Sequence, residues 1–340
     1  VLFRSYCDEY KIANISVQAW GGEPLLEKNK IIALTKFITP QKTKVHYSIE
    51  TNATLLTNDV IEELYKNHIG IGISIDGDRK CHDLQRTFVS GKGSYDTVKK
   101  NLLQAQRYYK NKIGTITTIT KQTAVHIEKI IEHLVLDLHI SNIKLNFVHA
   151  STYTHGQNQC LNTQEIADTE LRILYKIIEL QERGYDVMEH NIFIKLKNLL
   201  FREYADICLS CGCCGGEKMI VFDMDGNIYP CELTDDASFV IGSIYKKESL
   251  IEQIKMTIDK DKAFFKMKKA VECEKCYWKF FCRGGCTVRA LSEKRQMEVI
   301  DIDHIECAIN QVLYPALMEL VLRKPHIVNQ MLGEDLLVDE

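Results

Sequence analysis

An excess of charge of either sign is missing from this sequence: 43 lysines and arginines stand against 46 aspartates and glutamates, a net charge of -3 over 340 residues. That balance excludes the broad basic footprint of nucleic-acid binders. No apolar run approaches the roughly 18 residues that a membrane-crossing helix needs, and the N-terminus lacks the basic-then-apolar pattern of a secretory signal. The chain has no internal repeat and no low-complexity tract. Cysteine is nearly absent before position 208, where only Cys7, Cys81 and Cys160 occur. Together these absences point to a soluble, cytoplasmic protein with neither a nucleic-acid nor a membrane partner. The first residue is Val1 rather than Met, as in a piece of a longer protein.

What is present is a core and a cluster. At 45% hydrophobic residues the chain can bury one large core, or a core and a smaller satellite. Thirteen cysteines occur, and those beyond position 207 all fall between Cys208 and Cys307. A disulfide scaffold belongs to short secreted chains. In a reducing compartment, dense cysteines read instead as ligands of a metal or an iron–sulfur cluster.

The first half alternates short β-branched runs with helical stretches. Ile15–Trp20, Val45–Glu50, Gly70–Asp76, Gly114–Thr120 and Ile143–His149 read as strands, with helical patterns near 25–38, 57–67, 94–110 and 124–138 between them. This spacing predicts a parallel α/β sheet or barrel whose strands are largely buried, with ligands at their C-terminal ends. Polar or glycine-rich groups follow three strands at once: Gly21-Gly22-Glu23-Pro24, Thr51-Asn52 and Asp76-Gly77. Residues 1–150 are thus read as the barrel and 151–207 as a helical bridge. The cysteine-rich domain covers 208–310, and a closing helix and tail cover 311–340.

Two cysteine patterns stand out. One runs from Cys213 through Asp225-Gly226-Asn227-Ile228-Tyr229-Pro230 to Cys231; the other is Cys273-x2-Cys276-x5-Cys282-x3-Cys286, with Cys307 beyond. An eighth thiol, from Cys208, Cys211 or Cys214, makes two four-cysteine sites. On spacing alone, two structural zinc sites fit as well as two iron–sulfur clusters.

The strand-end motifs Gly21-Gly22-Glu23-Pro24, Thr51-Asn52 and Ser74-Ile75-Asp76-Gly77 resemble those of radical S-adenosylmethionine (radical SAM) enzymes. The continuation His82-Asp83-x-x-Arg86 and the Gly91-Lys92-Gly93-Ser94-Tyr95 turn resemble that superfamily too. The cysteines from Cys213 to Cys307 resemble its SPASM extension, which carries two auxiliary [4Fe–4S] clusters. The resemblance covers about residues 15–310 and implies a (β/α)6 barrel. Five strands are countable, the GGEP strand first, and the family's C-x3-C-x2-C loop for the S-adenosylmethionine-binding cluster is not in the sequence. The expectation is a partial barrel with its first strand missing.

The resemblance also implies roles. A reduced cluster passes an electron to S-adenosylmethionine, releasing methionine and a 5′-deoxyadenosyl radical that takes a hydrogen atom from the substrate. Gly21, Gly22 and Glu23 would hold the cofactor's amino group, Ser74 and Arg86 its carboxylate, with Thr51 and Asn52 at the mouth. Arg86 could equally serve a surface ion pair, and Asp76 could cap the following turn. Cys213, Cys231 and Cys286, with one of Cys208, Cys211 or Cys214, would bind the nearer auxiliary cluster, with Cys211 taken as the fourth ligand. Cys273, Cys276, Cys282 and Cys307 would bind the distal one. Glu232, directly after Cys231, stands where related sulfatase-maturating enzymes place an acidic base. His149 and His155 follow the last barrel strand.

The function implied is radical modification of a ribosomally made peptide, through a thioether or other crosslink, with flavodoxin or ferredoxin as electron donor. Two alternatives are an anaerobic sulfatase-maturating enzyme that makes formylglycine, and a non-catalytic iron–sulfur peptide binder.

Overall fold

The computed structural model describes residues 7, 9–37, 43–149, 156–201, 215–216, 218–234, 237–260, 271–294 and 302–333. The first part alternates strands and helices: β1 (Asn14–Ala19), α1 (Lys28–Phe37), β2 (Lys44–Thr51), α2 (Asn58–Lys66), β3 (Ile69–Ser74), α3 (Arg79–Gln85) and α4 (Tyr95–Tyr109). There follow β4 (Gly114–Ile119), α5 (Lys121–Ala124), α6 (Ile127–Glu132), a π-helical turn (His133–Asp137), β5 (Asn142–Phe147) and α7 (Thr163–Glu182). A two-residue strand, β6 (Met188–Glu189), and α8 (His190–Phe201) close this part. All strand pairings are parallel, and the sheet order is β1-β2-β3-β4-β5-β6.

The five strands read from sequence lie where the alternation put them, but the sheet has a sixth. β6 falls inside the stretch expected to be a purely helical bridge, and two residues carry no legible alternation. Its place is fixed by a side chain: the Glu189 carboxylate accepts from the Leu145 amide on β5 (3.0 Å) and from Ile192 N (2.8 Å) in the first turn of α8. One carboxylate thus ends the ladder and satisfies an orphan helix amide.

The two faces of the sheet differ. Ile69, Ile71 and Ile73 of β3, Thr115, Thr117 and Ile119 of β4, and Ile143, Leu145 and Phe147 of β5 are buried. They share one face, since side chains alternate along a strand. On the opposite face stand Ser48, Glu50, Gly70, Gly72, Ser74, Ile116, Thr118, Lys144 and Asn146, all half-buried. The strands are therefore not buried on both sides, as the sequence suggested. Small and polar residues line one face and leave it half-buried, while the isoleucine-rich face is sealed by helices.

The cysteine-rich part builds a three-stranded antiparallel sheet from β7 (Val221–Phe222), β8 (Asn227–Tyr229) and β9 (Gly242–Ser243), followed by α9 (Leu250–Lys260). Its own core is small: Ile228, Ile241, Leu250 and Ile254. Beyond it come α10 (Val271–Glu274), α11 (Lys279–Cys282), α12 (Thr287–Lys294), α13 (His304–Arg323) and α14 (Pro325–Leu332). The main core continues into these last two helices through Ile309, Leu313, Leu317, Ile327 and Val328. By length and composition alone α13 could cross a membrane. It packs instead on α7, with Glu306 bonded to Lys195 of α8.

Candidate active site

The mouth of the sheet is built where β1 to β4 end. The loop after β1 delivers Glu23, whose carboxylate accepts from Leu25 N (3.1 Å), Thr51 Oγ1 (2.6 Å) and Asn52 N (2.9 Å). Glu23 thus caps the short helical turn Pro24–Glu27 and ties the first loop to the end of β2. Thr51 Oγ1 accepts from Ala53 N (3.0 Å), and Asn52 Oδ1 holds Thr54 through N and Oγ1. A Cβ on Gly21 or Gly22 would meet no described atom within 4 Å, so the backbone of this loop borders open space. Gly21 also has φ +130°, a region suited to glycine.

Asp76, just beyond β3, is 1% exposed. It does not cap the next helix; Asp78 does, accepting from Cys81 N (2.9 Å). Asp76 Oδ2 instead accepts from Arg86 Nε (2.6 Å) and Gln85 Nε2 (2.7 Å), and Oδ1 from Thr118 N (2.9 Å) and Arg86 Nη2 (3.3 Å). Arg86 is therefore in a half-buried pair at the mouth rather than a surface one. Neither this acceptor role of Asp76 nor the polar row of Glu50, Lys144 and Asn146 was legible in the sequence. Only strand register brings them onto one face.

The C-terminal helices carry a second polar assembly. Asp303 caps α13, accepting from Glu306 N (3.2 Å), and also holds Cys286 N (2.7 Å) and Arg289 Nη2 (2.6 Å). Although burial alone would raise the Glu306 carboxyl, Lys195 and Arg289 hold it down at about 2. His149, past the end of β5, is pushed down by burial and by the nearby Arg289. His149 therefore lies near Arg289, three residues after Cys286 in the chain. Lys195 and Asp303 were not singled out from sequence. The helix-start pattern Asp303-x-x-Glu306 before an apolar run is a signal that could have found Asp303.

Of the candidate cluster ligands, Cys231, Cys273, Cys276, Cys282, Cys286 and Cys307 are half-buried. Cys211 and Cys213, with Cys208 and Cys214, lie outside the described residues, as does His155. Cys276 and Cys307 are close enough to interact electrostatically, and Gln311 Nε2 donates to Cys276 Sγ (3.7 Å). Among the described residues no three Cys, His, Asp or Glu side chains converge on one metal-ion position. Glu232 is half-buried in the turn after β8.

A parallel sheet with one polar face and a loop-built mouth is the α/β arrangement in which ligands generally bind at the strand C-termini. Residues 6–134 match the radical SAM superfamily, and the chain carries a radical SAM domain. It is 27% identical over 273 residues to a cysteine-type anaerobic sulfatase-maturating enzyme of Clostridium novyi (strain NT), covering 78% of this chain and 71% of the relative. Its structure aligns with native anSMEcpe with bound AdoMet and Cp18Cys peptide at a TM-score of 0.78 and 21% identity, over 90% of this chain and 85% of the other. Streptococcus suis SuiB bound to precursor peptide SuiA aligns at 0.63 and 19% identity, over 89% and 68%.

Proposed function

We propose that this chain modifies a peptide or protein side chain at the mouth of its sheet, with S-adenosylmethionine as the cofactor. The observation that carries this reading is the junction of Glu23 with Thr51 and Asn52 beside the open space at Gly21 and Gly22. The donor set suits the amino-acid end of the cofactor. A carboxylate with one lone-pair position still open, and exposed loop carbonyls, suit an ammonium, while Ser74 and Arg86 suit a carboxylate. When bound, the cofactor and a reduced iron–sulfur cluster supply hydrogen-abstracting radical chemistry. The chain's own part is to orient that end and to exclude water from the polar face of the sheet. The Glu232 carboxylate would take up the proton that the substrate releases.

The cysteine-rich residues 208–310 are read as a SPASM domain with two auxiliary four-iron clusters, held by the eight candidate cysteines. No C-x3-C-x2-C occurs in the 340 residues, so no step is assigned to a cofactor-cleaving cluster held by this chain. Within this class, SuiB's complex with a precursor peptide supports a ribosomally made peptide as substrate. The Clostridium novyi relative supports the second reading, conversion of a Cys or Ser to formylglycine in a sulfatase. A small electron carrier such as flavodoxin or ferredoxin in the cytoplasm completes the proposal.

The test is iron, sulfide and zinc per chain after anaerobic purification and reconstitution. About eight irons with matching sulfide is the expected result. About one or two zincs with little iron would make the cysteine-rich half a structural metal domain and overturn the reading.

A further inference from the structure

Arg86 sits in a closed ring of hydrogen bonds that no motif predicts. The Asp76 amide donates to His82 Nδ1 (3.2 Å), His82 Nε2 lies 3.0 Å from Ser94 Oγ, and Ser94 Oγ donates to the Arg86 carbonyl (2.9 Å). The Arg86 guanidinium returns to the Asp76 carboxylate through Nε (2.6 Å) and Nη2 (3.3 Å). The ring closes in only one arrangement of protons. Ser94 spends its hydrogen on Arg86, so it accepts from His82 Nε2–H, which leaves Nδ1 bare for the Asp76 amide. His82 is wholly buried, and Ser94 is nearly so.

The four acceptor positions of Asp76 are all filled, by Arg86 twice, Gln85 and Thr118, so this carboxylate has none left for a ligand. Arg86 differs: a guanidinium has five N–H groups; Asp76 takes two of them and Nη2 also reaches Thr118 Oγ1 (3.5 Å), which leaves the two on Nη1. Its side chain is 27% exposed. We infer that Asp76 and His82 are positioning residues, which fix side chain and backbone of Arg86 so that its remaining N–H groups meet a ligand carboxylate at the mouth. The inference rests on the reading of Arg86 as the cofactor's carboxylate anchor. An arginine held at both ends loses little freedom on binding, and preorganisation of this kind raises affinity without new contacts.

Two readouts separate the inference from that reading. The first is solvent exchange of the Arg86 Nε–H in arginine-labelled protein by nitrogen-15 NMR, assigned by its loss in Arg86→Lys. The second is affinity of the reconstituted full chain for S-adenosylmethionine against decarboxylated S-adenosylmethionine, which lacks the group Arg86 would hold. The wild type is expected to favour the carboxylated ligand by about tenfold or more, the scale of a charge-assisted hydrogen bond. Asp76→Asn and His82→Phe should erase most of that preference and speed Nε–H exchange. His82→Gln, which restores a donor to Ser94, should recover part of both. Where Asp76→Asn does not fold, Ser94→Ala against Ser94→Thr breaks and keeps one link of the same ring.

If Arg86→Lys removes the preference while Asp76→Asn and His82→Phe keep it, the inference is overturned and the anchor reading stands. If Arg86→Lys keeps the preference, the anchor reading falls, and the inference falls with it. Unchanged Nε–H exchange in both Asp76→Asn and His82→Phe also overturns the inference and leaves the anchor reading intact.

Discussion

The ammonium of Lys195 on α8 is bonded to the carboxylate of Glu306 on α13, the residue immediately before Cys307. The same ammonium donates to Asn310 Oδ1 (2.7 Å) and lies 5.7 Å from the Tyr314 ring centre. One lysine from the sheet's helical layer therefore pins the helix that carries a candidate ligand. Asn198, one turn on, donates to the Phe281 carbonyl (3.1 Å) beside Cys282.

Lys195→Met is expected to lower stability by about 3–5 kcal/mol, because it leaves the Glu306 charge buried with only Arg289 to oppose it. Lys195→Met/Glu306→Leu should recover a large part of that loss, since an apolar pair removes both desolvation costs. Denaturant unfolding of the two singles and the double measures the coupling. An additive double mutant would show that the pair does not act as a unit.

Gly77→Ala and Gly22→Ala should separate cleanly. Gly77 has φ +95°, and a Cβ there would come within 2.6 Å of Ile130 Cγ1, whereas Gly22 has open space. The expected cost is about 2–4 kcal/mol for Gly77→Ala and within about 0.5 kcal/mol for Gly22→Ala. Equal melting temperatures for the two variants would contradict the packing of β3's outgoing loop on α6.

Burial pushes His82 down to about 4, against Asp76 and Asp83, which favour its charged form. Its neutral imidazole must gain a proton when the chain unfolds in acid. Stability tied to His82 is complete above the ordinary histidine range, near 6.5, and is lost as pH falls toward 4, by roughly 3 kcal/mol in all. Relative to His82→Gln, the wild type should therefore lose stability over that window. Denaturation midpoints measured between pH 4 and 7 test this, and a difference constant with pH would refute it.

Cys276→Ala should cut reconstituted iron from about eight to about four per chain and lower the melting temperature, while Cys160→Ala should leave iron unchanged. Cys276, in the turn between α10 and α11, interacts electrostatically with Cys307 on α13, whereas Cys160 lies just before α7, outside the cysteine-rich segment. Equal iron in both variants would remove Cys276 from the ligand set.

The sequence announces whatever repeats along the chain. The Ile-x-Ile alternation of β3 and the β-branched runs of β4 and β5 marked the sheet, because every second side chain had to enter one apolar layer. Glu23, Thr51 and Asn52 were nominated separately, and the fold bonds them to one another. What could not be read is whatever depends on a partner distant in the chain. Asp76 looks like a turn cap until Arg86 and Thr118 are seen around it. Glu189 looks like an ordinary surface glutamate until β5 supplies an amide for it. Lys195 carries no local signal because its partner is more than a hundred residues away.

The shared core of α7 and α13 has a consequence in time. The apolar stripe of α7 leaves the ribosome well before α13, whose first residue, His304, comes long after Thr163. At roughly 5–20 residues per second, the nascent chain waits on the order of ten seconds or more with that stripe uncovered. Throughout that interval the half-made protein is a client for holding chaperones, and a ribosome stalled within the cysteine-rich segment would release a chain unable to close.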